Sequence, residues 1–165
     1  MKKYTLTACA VVGLLFLAGC AKSPSMTGAA MPIDGVRAGL TTDGRPSPRD
    51  FTVHSDVNGI RFDFDKYAIR PDAAKILEAD AQWLNRNRNH LVLIEGHCDE
   101  RGTSDYNLAL GEQRAKATMN YLVAHGVAAA RITVITYGSE RPVCTEKNEA
   151  CWAKNRRAHL LVKAQ

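Results

Sequence analysis

The chain has 165 residues, a length sufficient for one domain once its ends are set aside. Its first nineteen residues contain two lysines and no acidic residue, so the remainder carries 20 basic and 17 acidic residues and a net charge of +3. A charge this small does not indicate nucleic-acid binding, although it is compatible with an acidic ligand.

The N-terminus has the pattern of an export signal. Lys2 and Lys3 precede an apolar stretch that is too short to span a bilayer. The stretch ends in the letters LAGC, which resemble the lipobox of bacterial lipoproteins, where the cysteine is acylated and becomes the first residue. We therefore predict a signal peptide over residues 1–19 and acyl chains such as palmitate on Cys20; an ordinary secretory signal with a chance cysteine is the alternative. Ala21 stands where an aspartate would resemble an inner-membrane retention signal, so we expect anchoring in outer-membrane lipid.

Residues 20–52 are predicted to be a tether. They are rich in small and polar residues, and their apolar residues follow neither a helical nor a strand period. A flexible linker of this kind spans about 30 Å on average. An acylated cysteine followed by a linker indicates a globular domain, predicted over residues 53–165, that is held at a membrane. We expect this domain to face the periplasm.

The domain is predicted to begin with a strand and a helix. Ile60, Phe62 and Phe64 alternate with charged residues, which is the period of a half-buried strand. Pro71 suits the first position of a helix, and apolar residues recur at helical spacing through residues 71–86.

A second strand and helix follow. Residues 91–94 are continuously apolar, as in a strand that is covered on both faces. The next helix is predicted over residues 106–125, with Ser104 and Asp105 as its cap and Gly126 as its stop.

Two further strands are predicted, at residues 132–136 and 157–162, from alternating apolar positions. The resulting order is β-α-β-α-β-β. Right-handed connections put both helices on one side of the sheet, so we predict an α/β sandwich with two main helices on a four-stranded mixed sheet.

The cysteines divide into different roles. Cys144 and Cys151 lie in a polar loop of an exported chain, where oxidation is permitted. A disulfide between them, which we favour over two free thiols, would stabilise a short loop by about 2–3 kcal/mol. Cys98 has no partner in this pattern.

A charged binding site is predicted where the second strand meets the second helix. Asp99 follows the strand at its carboxyl end, and the helix that starts soon after has free N–H groups. Asn107 and Arg114 are seven residues apart and share a helical face, with Gly111 between them to leave room for a ligand. Arg114 would bind a carboxylate in bidentate fashion, and Asp99 would bind an ammonium group. The alternative is that Asp99 and Arg114 form a structural ion pair and that Asn107 is a cap.

Four motifs carry a resemblance to a known family. They are FDFDKYAIRP, GHCDERGTSDYNLALGEQRA, YGSERP and WAKNRRA. In this order and spacing they resemble the OmpA-like domains over about residues 55–163, and the lipobox and linker resemble the lipoproteins that carry such domains. The resemblance implies noncovalent binding of the peptidoglycan stem peptide at its diaminopimelate residue, without a cofactor.

The binding motifs of that family fall on particular positions of this chain. The aspartate after Gly-His-x falls on Asp99, and the arginine of N-x-x-L-x-x-x-R-A falls on Arg114. Asn107 and Leu110 match the same motif, and Arg157 is implied to support the pocket from the last strand. Flanking contacts are implied for Phe62, Asp63, Arg101, Gly102 and Thr103.

The resemblance also implies partners and a role. Lipoproteins of this kind bind the periplasmic protein TolB through a surface that overlaps the peptidoglycan site. With other Tol proteins they serve envelope integrity and constriction of the outer membrane at cell division. We expect Asp99→Ala or Arg114→Ala to weaken binding to peptidoglycan sacculi at least tenfold while folding survives.

Three other functions are weighed against this one. A thiol or metal enzyme could use His97 and Cys98, but adjacent strand residues point to opposite faces. Cys144 and Cys151 are too far apart in sequence for a zinc knuckle. A wall anchor of a motor, secretion or signalling assembly is the second alternative, and a purely structural lipoprotein is the third. We predict a binding protein and not an enzyme.

Overall fold

The computed structural model describes residues 46–165; the predicted signal peptide, Cys20 and most of the predicted linker lie outside this range. A four-stranded mixed sheet has the order β1-β4-β2-β3, with β2 and β3 parallel and β4 antiparallel to both β1 and β2. The predicted α/β class is confirmed. In chain order the elements are β1 (Ile60–Arg61), α1 (Pro71–Arg86), β2 (His90–His97), α2 (Ser104–Ala124), β3 (Ile132–Gly138), α3 (Glu149–Asn155) and β4 (Arg157–Ala164).

The hydrophobic core lies between the sheet and the two long helices. Val92 and Ile94 of β2 and Leu160 of β4 are fully or almost fully buried in it, as are Leu77 of α1 and Leu122 of α2. Burial of each such side chain contributes about 1.5–3 kcal/mol. Every second residue of a strand faces this core, so the residues between them face the other side of the sheet.

The first helix occupies the predicted range. Pro71 is its first residue, and its buried positions follow the predicted apolar stripe. Arg131, which precedes β3, fixes the other end of α1. Its guanidinium donates to the backbone carbonyls of Leu84 (3.0 Å), Asn87 (2.9 Å) and His90 (2.8 Å).

The second helix differs from the prediction in its cap and in the role of Gly111. Thr103 caps α2, because its hydroxyl accepts from the Tyr106 N–H at 3.3 Å. Gly126 ends the helix at φ +94°, as expected of a glycine stop. Gly111 faces the sheet and not a ligand: a methyl group there would clash with the Thr136 hydroxyl. The glycine permits close packing of α2 on β2 and β3 and opens no space for a ligand.

The first strand is shorter than predicted. It ends at Arg61, and Phe64 is 53% exposed although the alternation predicted burial. The Phe62 N–H donates to the backbone carbonyl of Arg156 at 3.0 Å. The backbone turns after Phe62 because β4 offers no further partner before α3. Asp65 in this turn has φ +57°. The residues of the predicted strand's second half therefore belong to a turn beside α2.

The segment before β4 contains a third helix that the sequence analysis missed. Asn148 caps α3, with its Oδ1 accepting from the Cys151 N–H at 2.9 Å. The predicted disulfide between Cys144 and Cys151 is present. Helix and disulfide together give this loop a fixed shape.

Residues 47–52 pack on the domain upstream of the predicted start at Val53. Thr52 pairs with Val162 of β4, and Asp50 forms an ion pair with Lys163 at 3.2 Å. The contacts of the domain thus include residues a few positions before Val53. No helix in the described part of the chain is both long and apolar enough to cross a membrane.

Candidate functional site

A pocket of about 220 Å³ lies between the turn after β1, the loop after β2 and the start of α2. Six of the predicted residues line it: Asp99, Arg101, Gly102, Asn107, Leu110 and Arg114. Five residues that the sequence analysis did not assign to the site also line it: Phe64, Asp65, Cys98, Tyr106 and Arg156.

Asp99 is a buried carboxylate in this pocket, with 3% of its surface exposed. Its Oδ2 accepts from the guanidinium groups of Arg101 (2.7 Å) and Arg156 (3.1 Å), and its Oδ1 accepts from the backbone N–H of Arg101 (3.1 Å). Burial alone would raise the pKa of Asp99. The hydrogen bonds from the two arginines outweigh burial and hold the pKa below its usual value. Asp99 is therefore ionised at neutral pH.

Arg114 lies beneath the pocket and is 1% exposed. Its Nε donates to the carbonyl of Lys66 (2.9 Å), its Nη2 to the carbonyl of Asp63 (3.1 Å), and its Nη1 to the carbonyl of His97 (2.9 Å) and the Sγ of Cys98 (3.4 Å). A guanidinium has five N–H groups. Four are engaged by the described residues, so Arg114 has one donor for a ligand and not the bidentate fork expected from the sequence.

Asn107 fixes the loop that presents Asp99. Its Nδ2 donates to the carbonyls of Asp99 (3.3 Å) and Arg101 (3.1 Å). Gly102 has φ +105°, a conformation that favours glycine and allows the loop to turn over Asn107. The alternative roles proposed from the sequence do not hold: the helix cap is Thr103, and the ion-pair partners of Asp99 among the described residues are arginines other than Arg114.

The rim of the pocket consists of aromatic and charged side chains. Arg101 is about one-third exposed, and its Cζ lies 3.9 Å from the ring centroid of Phe64. Tyr106 donates a hydrogen bond to Asp65 and so joins the start of α2 to the turn after β1. Asp65 thereby supplies a second carboxylate beside Asp99.

Three predicted flanking residues support the pocket from outside it. Phe62 is 1% exposed, and its ring centroid lies 5.3 Å from the Cζ of Arg114. Asp63 offers Arg114 its backbone carbonyl, while its carboxylate pairs with Arg70 at 3.2 Å. Thr103 caps α2. These residues hold the lining side chains in place.

Arg156, the residue directly before β4, supports the pocket in place of the predicted Arg157. Arg156 donates to Asp99 and, through Nε, to the backbone carbonyl of the residue after β1 (3.0 Å). Arg157 begins β4 on the other face, where it donates to the carbonyl of Arg141 at 3.3 Å. Ala158 faces the core between sheet and helices. Because strand residues alternate between the two faces, Arg156 points to the same face as Ala158, and Arg157 points to the opposite face. That alternation was the signal in the sequence that could have identified Arg156.

His97 and Cys98 lie on opposite sides of the sheet, as the strand period predicted. The Cys98 thiol is buried and donates to a backbone carbonyl of α2 at 3.3 Å; burial raises its pKa. His97 packs on Tyr137 with ring centroids 5.6 Å apart, and burial lowers the pKa of its imidazole. These two groups do not form a nucleophile–base pair. Nor do three His, Cys, Asp or Glu side chains converge as metal ligands anywhere in the described residues.

The pocket thus combines carboxylates with guanidinium groups. Asp99 and Asp65 supply the negative charge, and Arg101, Arg114 and Arg156 supply the positive charge. A purely cationic ligand would compete with the arginines for Asp99, and a purely anionic ligand would meet its repulsion. The arrangement suits a ligand that carries both ammonium and carboxylate groups.

Comparison with known proteins agrees with this fold. Residues 61–156 match the OmpA family. The chain is 46% identical over 150 residues to the peptidoglycan-associated lipoprotein of Mesorhizobium japonicum, which covers 90% of this chain and 86% of that protein.

Two solved structures resemble the domain. The peptidoglycan-associated lipoprotein from Burkholderia pseudomallei gives a TM-score of 0.63 at 42% identity, covering 64% of this chain and 90% of that one. The cell wall anchor of the T6SS from Pseudomonas aeruginosa gives a TM-score of 0.58 at 27% identity, covering 71% of this chain and 90% of that one. The chain therefore belongs to the OmpA family and, within it, to the peptidoglycan-associated lipoproteins.

Proposed function

We propose that this chain binds the stem peptide of peptidoglycan noncovalently at its diaminopimelate residue and thereby ties the outer membrane to the cell wall. Membership of the peptidoglycan-associated lipoproteins supports a lipoprotein of the cell envelope that anchors to the wall. The proposal adds the chemistry of the ligand, the membrane and the partners. The function is binding, with no chemical step.

The observation that carries the proposal is the ionised Asp99, whose carboxylate accepts hydrogen bonds from Arg101 and Arg156. Diaminopimelate has the ammonium group of a lysine side chain and an additional carboxylate on the same carbon. Asp99 suits the ammonium, and Arg101 beside it suits the carboxylate. Of the three pocket arginines, Arg101 is the most exposed, so its guanidinium is the one that an incoming carboxylate can reach from the rim.

The other end of the chain supplies the membrane part of the proposal. The lipobox pattern supports acylation of Cys20, and two or more acyl chains would hold the protein on a bilayer stably. The domain would face the periplasm and bind TolB and other Tol proteins there. Because the TolB surface would overlap the pocket, stem peptide and TolB should compete.

Sedimentation with purified sacculi tests the ligand. We expect the full-length chain in detergent to sediment with diaminopimelate-type peptidoglycan and much less with lysine-type peptidoglycan, which lacks the additional carboxylate. Asp99→Asn should lower the affinity at least tenfold, about 1.4 kcal/mol, because the ammonium loses its anionic partner. Asp105→Asn is the matched control, since it removes the same charge from an exposed position of α2 outside the pocket.

Equal sedimentation with both wall types would contradict the proposed ligand. The likeness to a secretion-system wall anchor supports a second candidate, the wall anchor of another envelope assembly. Affinity capture with the full-length chain distinguishes the two: TolB that is retained, and released by soluble stem peptide, supports the first. Retention of a different envelope complex without TolB supports the second.

A further inference from the structure

The segment that contains α3 is a rigid arm, defined here as residues 144–155. The Cys144–Cys151 disulfide closes its first part. Asn155, which is 3% exposed, closes its base: the side chain accepts from the N–H groups of Val143 (2.9 Å) and Cys144 (3.1 Å) and donates to the Cys144 carbonyl (2.7 Å). Because the disulfide and the Asn155 hydrogen bonds restrain the arm at both ends, the backbone positions that carry its side chains are fixed.

Glu149 on the arm contacts both arginines that hold Asp99. Its Oε1 accepts from Arg156 Nη2 at 2.5 Å, and its Oε2 lies 3.6 Å from Arg101 Nη2. The same two guanidinium groups donate to Asp99 Oδ2. Each arginine is therefore held between the pocket carboxylate and the arm carboxylate, although Glu149 itself does not line the pocket.

Trp152 on the arm contacts the same loop at a second point. Its ring centroid lies 4.2 Å from the Cζ of Arg101, a distance typical of a cation–π contact. Its indole N–H donates to the Glu100 carboxylate at 3.1 Å. Phe64 contacts Arg101 from the turn after β1, so two rings restrict the arginine at the rim.

We propose that Glu149 and Trp152 are positioning residues for the stem-peptide site, and that the disulfide makes them effective by fixing α3. This inference rests on the proposed function. Arginine side chains lose much rotamer freedom when they bind, and restraining them beforehand reduces that loss. The arm acts on the ligand through Arg101, the group suited to the additional carboxylate of diaminopimelate, and through Arg156, which holds Asp99. Loosening the arm should therefore reduce the preference for diaminopimelate over lysine as well as the affinity.

Calorimetric titration of the full-length chain in detergent tests the two side chains. The probes are soluble tripeptides with diaminopimelate or lysine at the third position. We expect Glu149→Ala and Trp152→Ala each to weaken binding of the diaminopimelate peptide three- to tenfold and to change binding of the lysine peptide less. Glu149→Gln and Trp152→Phe should restore most of the affinity, because they keep the acceptor and the ring. Glu146→Gln is the matched control in the same loop, since its carboxylate bonds only to Asn148 among the described residues.

Reduction tests the disulfide. We expect dithiothreitol to weaken binding of the diaminopimelate peptide by the wild-type chain to the level of a Cys144→Ser/Cys151→Ser variant. That variant should not respond to dithiothreitol, which controls for Cys98 and Cys20. Thermal unfolding of every sample shows whether the domain stays folded at the titration temperature, and the Glu149 and Trp152 variants test the arm even if the serine variant does not fold.

The possible outcomes distinguish failure of the positioning role from failure of the proposed function. Wild-type binding with unchanged affinity and unchanged preference in Glu149→Ala and Trp152→Ala would overturn the positioning role and leave the proposed function intact. Equal losses for both peptides, without rescue by Gln or Phe, would also overturn it, because they indicate a general loss of structure. Failure of the wild-type chain to bind the diaminopimelate peptide would overturn the proposed function and this inference with it.

Discussion

Arg114 and Asp80 are buried charged residues whose surroundings compensate them differently. Arg114 donates to three backbone carbonyls and a thiol, so fixed dipoles surround its charge. Asp80 on α1 is 0% exposed and has one bond: its Oδ1 accepts from the Asn58 N–H at 2.9 Å, and its Oδ2 has no partner among the described residues. The first side chain supports the fold, and the second costs stability when it is ionised.

Arg114→Ala should destabilise the domain as well as weaken binding. The substitution removes a donor from the carbonyls of Asp63, Lys66 and His97. Only the bond to His97 is fully buried, and leaving a buried acceptor without a partner costs about 1–3 kcal/mol. We expect the free energy of unfolding in urea to fall by about 1–3 kcal/mol. From the sequence we expected this variant to fold normally; the hydrogen bonds of Arg114 in the structure indicate that it is less stable than the wild type. An Arg114→Ala variant as stable as the wild type would show that solvent or a neighbour takes over those carbonyls.

Asp80 should make stability fall as pH rises. Burial raises the pKa of Asp80 from 3.8 to about 7, and the Asn58 N–H only partly opposes this. The folded state therefore holds the proton more tightly than the unfolded state. The stability associated with Asp80 is fully present below pH 3.8 and is lost as pH rises through about 7, by at most about 4 kcal/mol.

Asp80→Asn isolates this contribution. The amide oxygen can still accept from Asn58, and no charge forms at high pH. We expect urea unfolding at pH 5, 6, 7 and 8 to show a flatter profile for Asp80→Asn, with the largest gain over the wild type at pH 8. Glu78→Gln removes a charge from an exposed position of the same helix and should leave the profile unchanged. Parallel profiles for Asp80→Asn and the wild type would contradict a raised pKa.

Helices and loops whose formation depends on neighbouring residues could be predicted from the sequence. Pro71 and the apolar stripe predicted α1, and the position of Cys144 and Cys151 in a polar loop of an exported chain predicted their disulfide. The seven-residue α3 escaped because Cys151 and Asn155 are its only buried residues, too few to define a period. Short helices fixed by a disulfide and side-chain bonds leave no periodic trace.

The candidate site divides in the same way. The positions matching the family motif, such as Asp99 and Asn107, line the pocket. Asp65 and Tyr106 are 41 residues apart and meet only through the fold, and the alternating pattern had placed Asp65 in a strand. The turn after β1 forms because Arg114 and Arg156 bond its carbonyls, which are long-range contacts that no local window contains.

The close packing of α2 on the sheet gives a prediction at the element scale. A methyl group at Gly96 of β2 would clash with the backbone of Gly111, which cannot move unless the helix moves. At Gly111 it would meet the Thr136 hydroxyl first and backbone atoms only at 3.0 Å, a longer distance than that of the backbone contact at Gly96. We expect Gly96→Ala to lower the free energy of unfolding by about 1–3 kcal/mol and Gly111→Ala to lower it less. Urea unfolding of both variants checks this order, and the reverse order would indicate that Thr136 is held more firmly than the helix.

For the whole molecule, the proposed tether consists of three parts in series: acyl chains on Cys20, a linker, and the pocket. If any one of these three parts is lost, the outer membrane is no longer held to the wall by this protein. The three parts can be altered separately, because Cys20 is about thirty residues before the domain in sequence and Asp99 lies in the pocket.

Cys20→Ser and Asp99→Asn should therefore be equally damaging in cells and should not add. We expect Cys20→Ser to bind purified sacculi normally and to be absent from the outer-membrane fraction, and Asp99→Asn to show the opposite pair of results. Release of outer-membrane vesicles should rise to the same level in each single variant and in the double variant, because the first break already separates membrane from wall. Asp105→Asn should leave release at the wild-type level. A double variant that releases clearly more than either single variant would mean that the pocket and the lipid reach membrane and wall by independent routes.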